Sequence, residues 1–266
     1  GPIVHYRDIV KQFKFTDANR DYTNHFTIGL TIFILGLFKK VIIADGLSVY
    51  ANPVFNAAEI GTPLTFFEAW GGTLAYSFQL YFDFSGYSDM AIGLARMFGV
   101  RLPINFNSPY KATSLIDFWR RWHITLSQFL RDYVYIPLGG NRKSRFKSYI
   151  NISITMVLGG VWHGAGWTFL LWGFLHGFLL ILNHTFRVFF PLVTLKFHSA
   201  WFLTFGSVSI LWVLFRAETL DGALQMYKSM VGFYGISLPQ SFSSTLVGLE
   251  FFGVKFDGMF VNGAFD

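Results

Sequence analysis

Long apolar stretches broken by short polar ones run through most of the chain. Asn24–Phe38 carries no charge and is followed by Lys39-Lys40 and the apolar Val41–Ala44. This predicts one membrane span with a basic end, or a span abutting an interfacial turn. Glu68–Phe82 continues past Asp83 and Asp89 to Val100, which predicts one or two helices with embedded acids. Ser148–Phe186 contains no Asp, Glu, Lys or Arg across 39 residues. At about 1.5 Å per residue, one helix of that length would be nearly twice a bilayer core. The Gly-rich Gly159–Gly166 is predicted to divide it. Phe197–Phe215 adds 19 uncharged residues closed by Arg216, and Leu246–Phe260 is a weaker last candidate. The pattern predicts an all-α, multi-pass membrane protein with about five to seven spans of roughly 20 residues. The polar, mixed-charge Gly1–Asp21 reads as an aqueous loop or surface helix.

Between the spans, Ser114–Ile136 has a different rhythm. Leu115, Phe118, Trp119, Trp122, Leu126, Phe129, Leu130 and Tyr133 recur in steps of three and four. That spacing predicts one amphipathic helix. Ser114 and Asp117 resemble a capping box, Asp117 and Arg121 form an i,i+4 pair, and Pro137 with Gly139-Gly140 closes the helix. Arg120, His123, Ser127 and Arg131 fall on one stripe. The stripe is either a solvated polar face or a cationic row facing a polar cavity or an anionic substrate.

Composition strengthens the membrane assignment. The 266 residues are 53% hydrophobic and 20% aromatic but only 14% charged, against roughly 25% charged in soluble domains. Disorder is excluded, because it needs low hydrophobicity and high charge. The net charge of +6 comes from basic residues beside apolar runs, as in membrane proteins. No nucleic-acid-binding signature is present. By the positive-inside rule, the basic loop Asn141–Lys147 is predicted to be cytoplasmic. The first and last residues look like cuts in something longer. The 266 residues are therefore read as one membrane-embedded domain truncated at both ends.

The same composition limits the chemistry. Cysteine is absent, so disulfides, thiolate zinc sites and a cysteine nucleophile are excluded. No HExxH, phosphate-binding P-loop or Gly-x-Ser-x-Gly elbow occurs, and no metal site is predicted. Two histidines stand inside the long uncharged run, in Gly160-Val-Trp-His163-Gly164 and Gly173-Phe-Leu-His176-Gly177. Each sits in a GxxxG frame, which allows close helix approach. An ionisable group at membrane depth is a functional candidate by default, and imidazole can take and return a proton near neutral pH. Each could instead be a neutral histidine hydrogen-bonded between helices. The glycines around His163 weaken a regular helix and favour opened backbone lining a cavity. In Tyr81–Asp89, an ion pair of the acids with Arg96 or another arginine is a better explanation than catalysis.

Four ordered motifs carry a resemblance. Tyr81-Phe-Asp-Phe-Ser-Gly-Tyr-Ser-Asp-Met-Ala-Ile-Gly, Asp117-Phe-Trp-Arg-Arg-Trp-His123-Ile-Thr-Leu-Ser, Leu130-Arg-Asp-Tyr-Val-Tyr-Ile-Pro-Leu-Gly-Gly-Asn-Arg and Gly159-Gly-Val-Trp-His163-Gly-Ala-Gly-Trp resemble the membrane-bound O-acyltransferase (MBOAT) family. The nearest branch is the bacterial alginate O-acetylation protein I group. The opening Gly1-Pro-Ile-Val is similar to that group's central segment, and the resemblance extends to about Arg216–Glu218. It implies a helical body of tilted helices around a central funnel, with the catalytic histidine near its bottom. It also implies further membrane helices before this segment and a longer C-terminal part after it.

By that resemblance His163 matches the family's catalytic histidine and His123 its second active-site polar position. His176 matches a further histidine of the bacterial branch. The implied activity is movement of acetyl groups across the cytoplasmic membrane for O-acetylation of an exported polysaccharide such as alginate. No bound cofactor is implied. Acetyl-CoA or another acetyl thioester would be the donor, periplasmic acetyltransferases would be partners, and the chain itself would lie among the lipids of the bacterial inner membrane. His163 would act as general base, with His123 as a second donor or orienting group. Trp162 and Trp167 would wall the site. Arg120 and Arg131 would attract the anionic parts of the donor or contact lipid phosphates. Two rival readings are D-alanyl transfer to teichoic acid and a polytopic transporter without catalysis.

Overall fold

The structure is a computed structural model, and it describes residues 2–13, 21–193, 195–238, 243 and 245–256. Parts of the polar opening stretch and the end, Val261–Asp266, lie outside the described residues. Within the opening stretch, Tyr6–Phe13 forms a short helix, α1.

Tyr22–Glu59 is one continuous helical stretch, long and apolar enough to cross a membrane. It consists of α2 (Tyr22–Phe38), a π-helical turn over Lys39–Ala44, and α3 (Asp45–Glu59). The Lys39-Lys40 pair therefore does not end the span. It survives in the middle because α4 (Phe66–Met97) supplies counter-charges. Lys39 Nζ lies 2.6 Å from Asp89 Oδ2. Lys40 Nζ lies 2.7 Å from Asp83 Oδ1 and 2.7 Å from Asp45 Oδ1. The acids of Tyr81–Asp89 thus pair with lysines, not with Arg96 or another arginine. A charge held among apolar helices needs such a partner.

Glycines let the two helices come close enough for those pairs. A Cβ on Gly29 would lie 2.6 Å from the Gly93 carbonyl oxygen, and one on Gly36 would lie 2.6 Å from that of Gly86. Gly29 meets Gly93 and Gly36 meets Gly86, so α2 and α4 run antiparallel in backbone contact. This is the small-residue packing that membrane helices favour. The outward side chains of α2, among them Ile34, Leu35, Leu37 and Phe38, are exposed and apolar, as a lipid-facing surface requires.

The uncharged run divides where the glycines predict. The helix α7 (Arg145–His163) ends at the catalytic candidate, and α8 (Trp167–Phe189) begins four residues later. They fold back on each other with Gly160 and Gly173 in contact. Next come α9 (Phe197–Arg216) and α10 (Leu220–Met230). By length and hydropathy α8 and α9 can also cross a membrane. The last candidate span is not a helix over its described part. A 3-10 turn at Val247–Phe252 leads to Val254–Lys255 (β2), which pairs in parallel with Ile236–Ser237 (β1). Glu250 and Lys255 interrupt its apolar run, and Gly253 turns the chain with φ of 79°.

The core is largely aromatic. Phe118 and Trp122 stack with centroids 5.6 Å apart, Trp122 meets Trp212 at 4.9 Å, and Trp212 stacks on Trp172 at 5.8 Å. Each such pair adds about 0.5–1.5 kcal/mol beyond its buried area. Tyr110 ties the column together. Its hydroxyl donates to the Ser77 carbonyl at 2.6 Å and accepts from Trp212 Nε1 at 3.1 Å. The column joins α8 and α9 to the irregular segment between α4 and α7.

Candidate active site

That irregular segment departs most from the periodicity. Ser114 does cap a helix, its Oγ accepting from the Asp117 N–H at 3.1 Å, and Arg121 pairs with Asp117 at 2.9 Å. The helix, α5 (Leu115–Trp119), then stops. A new one, α6 (Ile124–Leu130), follows, and Arg131–Tyr135 is π-helical. The single helix expected over 114–136 is thus three pieces. The cause is the preceding loop. The Asn105 carbonyl accepts the Ile124 N–H at 3.0 Å, and Asn107 N–H donates to the Arg121 carbonyl at 2.9 Å. These partners satisfy backbone groups that a continuous helix would have satisfied internally.

His123 stands at the break, with φ of 41°. This left-handed conformation is unusual for a residue with a Cβ. It turns the ring away from the polar stripe and into the protein, leaving 2% of the residue exposed. Nδ1 lies 3.2 Å from Asn105 Oδ1, and Phe84 packs edge-on at 4.7 Å. The same Asn105 oxygen accepts from Thr125 N–H at 3.2 Å and from Thr125 Oγ1 at 2.9 Å. Asn105 Nδ2 donates to Ser88 Oγ at 3.2 Å, and Ile3 N–H donates to Thr125 Oγ1 at 3.0 Å.

His163 is the last residue of α7, half-buried in a three-sided aromatic box. Ring centroids lie 5.0 Å away in Trp162, 5.5 Å in Trp172 and 5.0 Å in Phe215. Among the described residues, no group hydrogen-bonds to its imidazole. Trp162 also meets His123 at 6.4 Å, so one indole lies against both imidazoles.

His176 is fully buried one layer deeper. Trp119 at 5.1 Å, Trp172 at 4.7 Å and Trp212 at 6.2 Å surround it. Among the described residues, neither ring nitrogen has a hydrogen-bond partner, nor do the indole nitrogens of Trp119 and Trp172. His176 and His163 both pack edge-on against the same Trp172.

A cavity of about 500 Å³ lies between α5–α6 and the α7–α8 pair. Arg120, Ser127, Arg131 and His184 give it a cationic and polar wall, and Trp119, Ile124 and Met156 an apolar one. Three members of the predicted stripe therefore share this cavity, and the fourth, His123, is turned out of it. Neither His123 nor His163 lines it. Its lining does include Ile124, which adjoins His123, and Trp119, which packs on His176. Arg131 is held by Asp132 through two hydrogen bonds of 2.7 and 3.2 Å. Trp162 and Trp167 are placed differently. Trp162 is 59% exposed yet touches both histidines, whereas Trp167 is 72% exposed at the start of α8. Asn105, Trp172, Phe215 and His184 were not singled out in the sequence. A polar Asn among apolar residues in the loop before the Arg-Trp-His motif was the one available signal. Nothing in the local pattern marks the aromatic residues or His184.

Comparison with known proteins agrees with this architecture. The sequence model of MBOAT, the membrane-bound O-acyltransferase family, matches residues 1–217. The chain is 51% identical over 246 residues to a peptidoglycan O-acetyltransferase of Helicobacter pylori, covering 90% of this chain and 45% of that protein. It is 46% identical over 251 residues to a probable alginate O-acetylase AlgI of Azotobacter vinelandii, covering 94% and 48%. A teichoic acid D-alanyltransferase of Bacillus subtilis is 31% identical over 197 residues, covering 70% and 48%. The chain spans about half the length of these relatives. It belongs to the membrane-bound O-acyltransferase family.

Proposed function

From this family membership we propose that the chain is the core of an acetyltransferase in the bacterial inner membrane. It passes acetyl groups from a cytoplasmic thioester such as acetyl-CoA to an exported polysaccharide such as alginate. Periplasmic acetyltransferases act as its partners. The observation that carries the reading is the imidazole of His163, without a hydrogen bond among the described residues, in an aromatic box whose Trp162 also packs against the imidazole of His123. The acceptor hydroxyl gives its proton to His163 as its oxygen attacks the thioester carbonyl. A C–O bond forms, the C–S bond breaks, and the proton passes to the departing thiolate. The aromatic box keeps water from competing for the thioester. His123 orients the reacting groups, and the cavity with Arg120 and Arg131 draws in the anionic donor.

The relatives support acetyl over D-alanyl as the group transferred, because the two O-acetylating relatives are the more similar ones. The test uses the complete protein in lipid nanodiscs with labelled acetyl-CoA and a candidate polysaccharide. Wild type should form the alkali-labile ester, and His163→Ala should lose about 10³-fold in rate, a typical contribution of a general base. Full ester formation by folded His163→Ala would end the reading. Transport of substrate without ester would favour a transporter, and an ester of D-alanine would favour teichoic acid.

A further inference from the structure

We infer that Asn105 is a positioning residue that fixes the tautomer of His123. The inference rests on the acyl-transfer reading for its consequence but not for its geometry. A backbone N–H can only donate, so the Asn105 atom 3.2 Å from Thr125 N is the side-chain oxygen. The amide nitrogen is then the atom facing Ser88 Oγ. The oxygen lies 3.2 Å from His123 Nδ1. Two groups that both accept cannot share that contact, so Nδ1 carries the proton. In a neutral imidazole the other nitrogen is then bare.

His123 thus enters the site with a lone pair on Nε2 and works as an acceptor. It can take a hydrogen bond from the acceptor hydroxyl, not stabilise an oxyanion while neutral. The arrangement is rigid. Asn105 is 1% exposed, and its oxygen is held by both donors of Thr125, whose hydroxyl oxygen is held in turn by the N–H of Ile3. The left-handed backbone at His123 is the local strain that this hub supports.

The test uses the complete protein, labelled with ¹⁵N-imidazole histidine, with His123→Ala to assign the resonances. The His123 signal should show a protonated Nδ1 and a bare Nε2, and Asn105→Ala should erase that bias. In ester formation Asn105→Ala should lower kcat about 10²-fold with KM within about threefold, as losing an orienting group does. Asn105→Asp, which keeps the acceptor oxygen, should recover kcat to within about tenfold of wild type. A wild-type spectrum with the proton on Nε2 would overturn the inference. So would wild-type kcat in Asn105→Ala, or equal losses in the Ala and Asp variants. If Asn105→Ala does not fold, the wild-type spectrum and the Asp variant still decide. The spectrum needs no turnover, so a failed acyl-transfer reading and a failed tautomer assignment are seen separately.

Discussion

The α2–α4 seam and the segment from Asn105 to His163 are both polar interruptions of apolar sequence, handled in opposite ways. In the seam the backbone stays helical throughout. Its charges are cancelled across the interface, Lys39 by Asp89 and Lys40 by Asp83, and glycines bring the helices together. In the second segment the helix is broken at His123 and ended at His163, and backbone groups of the loop at Asn105 and Asn107, with the Asn105 side chain, take up the backbone groups freed at His123. Non-helical backbone at membrane depth is tolerated only inside protein or along a cavity. The seam therefore shows how this chain packs, and the broken segment shows where it can bind and react.

The largest effect expected from breaking that contrast is at the seam. Gly93→Leu would drive atoms into the Gly29 carbonyl, 2.6 Å from the added Cβ, and into the Phe33 backbone nitrogen, also 2.6 Å away. Forcing two helices apart should cost about 3 kcal/mol, read as a lower midpoint in thermal unfolding followed by tryptophan fluorescence. An unchanged midpoint would mean that the helices are not in contact there.

A smaller effect is expected at the ion pairs. Lys39→Met leaves Asp89 half-buried without its partner and should cost about 1–3 kcal/mol. Adding Asp89→Leu should recover most of that, since an apolar pair can replace an ion pair in an apolar setting. Full additivity of the two losses would show that the charges are not coupled.

In the broken segment, Arg131→Gln should raise KM for the acetyl donor about three- to tenfold at unchanged kcat, as loss of a charged hydrogen bond from a binding wall does. A change confined to kcat would remove Arg131 from donor binding. The smallest effect is expected from Trp167→Ala, within about threefold in kcat/KM, a change of less than about 1 kcal/mol. Steady-state kinetics at saturating polysaccharide measures both. A loss at Trp167 as large as at His163 would place that indole in the reacting geometry.

The membrane character, three of the five to seven expected spans among the described residues and the division of the uncharged run at Gly159–Gly166 are legible in the sequence by itself. Each depends on side-chain polarity and local backbone preference, which neighbours in the chain settle. So does the cap at Ser114. The sequence also brings His163 forward, because an imidazole between glycines in apolar sequence conflicts with its surroundings. Only the tertiary structure decides the rest. Periodicity made 114–136 one helix, and the loop around Asn105 broke it by offering hydrogen bonds from about twenty residues away, beyond any local rule. The partners of Asp83 and Asp89, the aromatic box around His163 and the isolation of His176 join helices far apart in the chain. A pattern records which side chains are apolar or charged. Which of them meet is set by the packing of whole helices, and that packing turned His123 from a stripe on a surface into the centre of a buried hub.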